Sequence, residues 1–116
     1  MAITLTNDNV DGYGFVANGY SADWSGCETL KAAVAGASIY IEKIHISPLA
    51  DEIVTIGAGE TAGAVTTTLL GPLHILAQTT TTLVFTRPIK LAAATALTAD
   101  AAGAGAITIV VQGYVR

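Results

Sequence analysis

The sequence predicts an all-β fold, a single antiparallel sandwich or barrel of about eight strands. Three observations lead there. Apolar residues recur with a period of two along most of the chain. Turn-forming Gly, Pro, Asn and Asp interrupt those runs at intervals of about 8 to 12 residues. No segment sustains the 3.6-residue period of an amphipathic helix over a useful length. The 116 residues suit one domain, long enough to bury a core without staples.

Ile3 and Leu5 alternate with Ala2, Thr4 and Thr6 as a short first strand. Residues 7–26 are rich in Asn, Asp, Gly and Ser and read as a loop or arm. Four aromatics lie within it, Tyr13, Phe15, Tyr20 and Trp24, and they need a dry place on this subunit or on a neighbour. The chain therefore divides into 1–27, an N-terminal strand and arm, and 28–116, the sandwich. Leu30 to Val34 and Ser38 to Ser47 read as strands joined through Ala35-Gly36-Ala37. In a regular strand Ile39 and Ile41 would face opposite to Ile44 and Ile46. A bulge near Glu42-Lys43 would turn all four inward and is the favoured reading; the alternative is a regular strand covered on both faces.

Ile53 to Ile56 form the next strand, closed by Gly57-Ala58-Gly59, and Val65 to Leu70 another, stopped by Gly71-Pro72. Leu73, Ile75 and Ala77 alternate again, and Thr81, Leu83 and Phe85 share a face. Pro88 breaks that run at Arg87, before Ile89 and Leu91 resume it. A helical turn is the competing reading for residues 92–104, opposed by the β-branched Thr95 and Thr98. Ala99 to Gly105 read as a turn region. Ile107, Ile109, Val111, Gly113 and Val115 make the clearest strand, and Val110 on its other face marks it as central or covered by a partner.

Only 12% of residues are charged, against about 25% in ordinary soluble domains. Mean hydropathy is +0.58, carried largely by small residues: 21 Ala, 16 Thr and 12 Gly. A surface so short of charge implies contact with other protein. Net charge is −4, and the basic residues Lys31, Lys43, Arg87, Lys90 and Arg116 are scattered in sequence, which argues against a nucleic-acid surface. The start of the chain lacks a basic n-region, and the apolar stretch 62–85 is broken by His74, Gln78 and threonines. Neither a signal peptide nor a transmembrane helix is expected. The lone Cys27 excludes an intrachain disulfide and reads as an inert thiol.

Motifs that carry chemistry are weak. Gly57-Ala-Gly59-Glu-Thr-Ala-Gly63 is one residue too long for a dinucleotide loop, and a strand-like segment follows where a helix is required; an inter-strand turn is expected. Asn7-Asp8-Asn9-Val10-Asp11-Gly12 fits the first half of a calcium loop. Its twelfth position is Asn18, however, where a bidentate Glu is needed, so an Asx-rich turn is expected. His45 and His74 fall short of a metal-ligand set. Asp51-Glu52 are adjacent carboxylates at a turn, expected to solvate a loop rather than do acid–base work. The serines sit in no nucleophile elbow. No cofactor, metal or catalytic activity is expected.

The phrases Glu28-Thr-Leu-Lys-Ala-Ala-Val-Ala-Gly36, Ile39-Tyr-Ile-Glu-Lys-Ile-His-Ile46, Leu70-Gly-Pro-Leu73, Pro88-Ile-Lys-Leu91, Ala96-Leu-Thr98 and Ala106-Ile-Thr-Ile-Val-Val-Gln-Gly-Tyr-Val115 are similar to those of small virion proteins of tailed bacteriophages. These are β-sandwich, jelly-roll-like proteins that decorate heads or occupy tails. The resemblance implies a jelly-roll-like homotrimer that cements a capsid by bridging major capsid protein subunits. Such a protein would be made in the host cytoplasm and placed on the virion surface. Under that reading Tyr13, Phe15, Tyr20 and Trp24 are the candidate contacts to capsid or neighbouring subunit, and deletion of residues 2–26 should spare the sandwich. A tail, baseplate or fibre component is the second reading. A carbohydrate-binding jelly roll, using Asn18-Gly19-Tyr20 and Asp23-Trp24, is the third.

Overall fold

A computed structural model describes residues 4–9 and 14–116. Among them nine strands form two antiparallel sheets and no helix occurs: β1 (Thr4–Asn9), β2 (Gly14–Ser21), β3 (Glu28–Lys31), β4 (Ile39–Pro48), β5 (Glu52–Thr61), β6 (Ala64–Ile75), β7 (Thr81–Lys90), β8 (Leu97–Ala101) and β9 (Ile107–Val115). The five-stranded sheet runs β1-β2-β9-β4-β7 and the four-stranded sheet β3-β8-β5-β6. From β2 onward every connection crosses between sheets except the β5–β6 hairpin. That order of eight strands, 2-9-4-7 over 3-8-5-6, is a jelly roll, and β1 extends it at one edge.

The alternation in β4 resolves as expected. Its pairing with both β7 and β9 shifts register between Ile41 and Lys43. Ile39, Ile41, Ile44 and Ile46 are consequently all buried. One extra residue reverses the pleat, so two half-strands of opposite phase feed one core. β9 is central, paired with β2 and β4 along its length. Residues 85–88 of β7 have no partner on β4, and Pro88, which has no N–H to give, sits in that interruption of an edge strand.

Four expectations are corrected. Gly14–Ser21 is not a loop or arm but an interior strand between β1 and β9. Its inward positions are Phe15, Ala17, Gly19 and Ser21, so a true period of two is hidden by small residues. Gly57-Ala58-Gly59 does not end its strand. β5 runs on to Thr61, and the hairpin turns at Ala62-Gly63, both with φ above zero as a tight two-residue turn requires. Gly71-Pro72 likewise lies within β6. Ala99–Ala101 belongs to β8, leaving only 102–106 as the turn.

The β5–β6 hairpin tip folds back over the outer face of β8. Thr98 Oγ1 donates to Gly59 O at 2.7 Å, Val65 N donates to Asp100 Oδ2 at 3.3 Å, and Cys27 N donates to Gly63 O at 3.0 Å. Thr98, on the solvent side of its sheet, is thereby buried. A Cβ at Gly57 would strike Val65 and the Thr67 carbonyl, so the close return of β6 requires glycine there.

Trp24 closes one end of the sandwich. It is fully buried, its Nε1 donates to Ile107 O at 2.9 Å, and its own carbonyl accepts from Ala101 N at 2.8 Å. One residue thus ties β8 of one sheet to β9 of the other. Two outcomes follow. A chain lacking residues 2–26 loses β2, Phe15 and Trp24, and its circular dichroism should show an unfolded protein, not an intact sandwich. Trp24→Phe keeps apolar bulk but leaves the Ile107 carbonyl without its donor, and urea unfolding should register a loss of about 1–3 kcal/mol.

Candidate functional site

The four aromatics separate. Tyr13 lies outside the described residues. Phe15 packs in this subunit's own core opposite Gly113, and Trp24 closes the sandwich as described, so neither is offered to a partner. Tyr20, 47% exposed on the outer side of β2, remains accessible.

Tyr20 stands at the end of the molecule where the connections 22–27, 49–51, 76–80 and 102–106 meet. Backbone bonds hold them together: Leu49 N to Ala106 O at 2.9 Å, Gln78 N to Pro48 O at 2.9 Å and Ala102 N to Ile53 O at 2.9 Å. Side chains add Ala77 N to Asp51 Oδ1 at 2.7 Å, and an Asx-type turn in which Ser25 N donates to Asp23 Oδ1 at 2.8 Å. Bonds from Ser25 hold the Asp23 carboxyl below the usual carboxylate range. These braced loops present apolar tips, Leu49 at 64% and Leu76 at 68% exposure. Two open clefts flank them. One, about 350 Å³, is lined by Tyr20, Pro48, Leu49, Gln78 and Ile107; the other, about 340 Å³, by Asp51, Glu52, Ile53, His74 and Leu76.

A second surface runs along one flank. β6 and β7 are the neighbouring edges of the two sheets, yet β6 packs on β5, with lesser contact to β8 and β4, and touches β7 little. On these two edge strands Leu69, Leu70, Leu73, Leu83, Phe85 and Ile89 pack against the core and stay only half-buried, which makes this flank an apolar seam. The expected shared face of Thr81, Leu83 and Phe85 is part of it. Sequence reasoning missed the seam because β6 and β7 are read as two separate strands, and only the crossover places their apolar faces side by side. Leu49 and Leu76 had a local signal, large apolar residues at turn positions.

The basic residues are less scattered in space than in sequence. On the outer face of the five-stranded sheet Tyr40 and Tyr114 stack at 4.8 Å, with Lys90 over the first and Arg116 over the second.

The weak motifs find no built site. Asn7, Asp8 and Asn9 are strand residues of β1, paired with Ala17, Val16 and Phe15, while Val10, Asp11 and Gly12 lie outside the described residues. His45 Nδ1 is 2.9 Å from Thr82 Oγ1 across the strand pair, and His74 is exposed on β6. Among the described residues no three His, Cys, Asp or Glu side chains gather as a metal site, and no helix is long and apolar enough to cross a membrane. Asp51 and Glu52 diverge: Asp51 is exposed and braces its loop, whereas Glu52 turns inward and is buried.

Comparison with protein-family models, with curated proteins and with solved structures finds no match to this chain. Strand order alone therefore assigns the fold.

Burial pushes the Cys27 thiol above its ordinary range, and the nearby Asp100 and Glu60 charges add to that shift. Less thiolate is present at any neutral or mildly alkaline pH. Disulfide exchange of the folded protein with an aromatic disulfide reagent should be slower than that of free cysteine, with its pH midpoint displaced upward. Unfolding in urea should restore the ordinary rate.

Proposed function

We propose that this jelly roll is a structural, non-catalytic subunit that self-associates, as a homotrimer, and decorates the capsid of a tailed bacteriophage by bridging major capsid protein subunits. The observation that carries self-association is the half-buried apolar seam between β6 and β7. Six large side chains held at a boundary between core and water gain from a covering surface, at about 25 cal/mol for each Å² removed from water. The sparse charge of the chain supports the same reading, because it leaves few groups whose desolvation would oppose association. The capsid as partner rests on the resemblance of residues 28–115 to phage virion proteins. The braced loop end, with Tyr20, Leu49 and Leu76, is the surface best shaped for it.

The carbohydrate-binding alternative loses Trp24 to the core and keeps Tyr20, Asn18 and Asp23. A tail or baseplate role would use the same seam.

Light scattering coupled to size exclusion tests the proposal. The expected result is a discrete species at three times the 11.8 kDa chain mass. Leu70→Lys, which places a charge in the seam, should convert it to folded monomer. A wild-type monomer over the accessible concentration range would overturn the seam as an interface.

A further inference from the structure

We propose that the cleft beside Glu52 is a receptor for an arginine side chain of a partner protein. Glu52 starts β5 and points inward with Val54 and Ile56, and only 8% of it is exposed. Its carboxylate lies against Gly103 and Gly105 of the 102–106 loop, where a Cβ on Gly105 would overlap Oε2. Among the described residues no hydrogen bond or ion pair reaches this carboxylate. Its oxygens keep contact with water, and a mostly buried carboxylate with no partner in the chain gains from a cation that meets it there. The chain's lysines and arginines are turned elsewhere, Lys31 over the Phe15 ring, Lys90 over Tyr40 and Arg116 over Tyr114, while His74 lines the same cleft on the exposed face of β6. Lys43 and Arg87 belong to β4 and β7 of the other sheet.

The cleft supplies what the missing partner needs. Glu52 lines it together with Asp51, whose Oδ1 is taken by Ala77 N, and with the apolar walls of Ile53, Ile75 and Leu76. Two carboxylates beside aliphatic walls match an arginine. Its methylene stem would cover Leu76 and Ile53, and its planar, weakly hydrated guanidinium would reach the carboxylate. The inference deepens the docking reading of the loop end and rests on it only for the source of the arginine. The mass measurement addresses the seam and not this cleft, so the two fail separately.

The test uses Nα-acetyl-L-arginine amide hydrochloride titrated into the ¹⁵N-labelled full chain, with sodium chloride at matched ionic strength as control. Saturable shifts are expected at the Ile53, Gly103 and Gly105 amides. Glu52→Gln should weaken binding at least about tenfold, as loss of charge-assisted hydrogen bonds does. Leu76→Ser, at an exposed position that the fold tolerates, should weaken it a few-fold. Equal shifts with sodium chloride, or unchanged affinity in Glu52→Gln, would overturn the proposal. Should Glu52→Gln lose its dispersed spectrum, unchanged affinity in Leu76→Ser would overturn it instead.

Discussion

The two sheets are joined at one end by a single indole. Trp24 is the largest fully buried side chain, and it reaches both layers, through its ring N–H to Ile107 and through its carbonyl to Ala101. Much else depends on that position. Several inward residues of the neighbouring strands are small: Ala17, Gly19 and Ser21 on β2, Ala99 and Ala101 on β8. Small residues pack two backbones closely but leave little area to hold them. A large ring with one satisfied polar atom supplies the area without a buried orphan. The ends of β8 and β9 are fixed by it, and the 102–106 loop between them carries the two glycines that lie against Glu52.

The parts of the fold legible in sequence were those built from bulky β-branched residues. Ile39, Ile41, Ile44 and Ile46 announce a strand whose broken phase is met either by a bulge or by cover on both faces, and the structure has the bulge. Ile107, Ile109 and Val111 announced a central strand in the same way. Where the inward face is Ala, Gly or Ser, that signal vanishes. β2 looks like a loop because its inward residues after Phe15 are Ala17, Gly19 and Ser21. From sequence alone β5 and β6 look shorter than they are, because glycine and proline resemble stops. In the structure Gly57 accommodates the close pass of β6, and Gly71-Pro72 falls at an irregular stretch of an edge. The real hairpin turn, Ala62-Gly63, has none of the Asn or Asp that usually mark one.

The candidate surfaces were harder to read than the strands, for a topological reason. A jelly roll sends consecutive strands to opposite sheets, so a patch on its flank draws from segments whose adjacency no local window contains. Leu73 and Phe85 are visible as apolar residues, but their common seam exists only after β6 and β7 have gone to different layers. The aromatics of the N-terminal segment show the converse. Composition marked all four as sticky, and packing then took Phe15 and Trp24 inward and left Tyr20 outside.

The placement of β9 has a consequence for how the chain matures. It lies between β2 and β4 and is hydrogen-bonded to both, although it follows them by some sixty residues or more in sequence. On the ribosome β2 and β4 emerge long before the strand that separates them. Until residues 107–115 are made, each carries an open row of amide and carbonyl groups, β4 with four isoleucines alongside. The nascent chain must either hold these edges apart or pair them wrongly and release them, and arrival of β9 converts the sheet from an open half to a closed layer in one step.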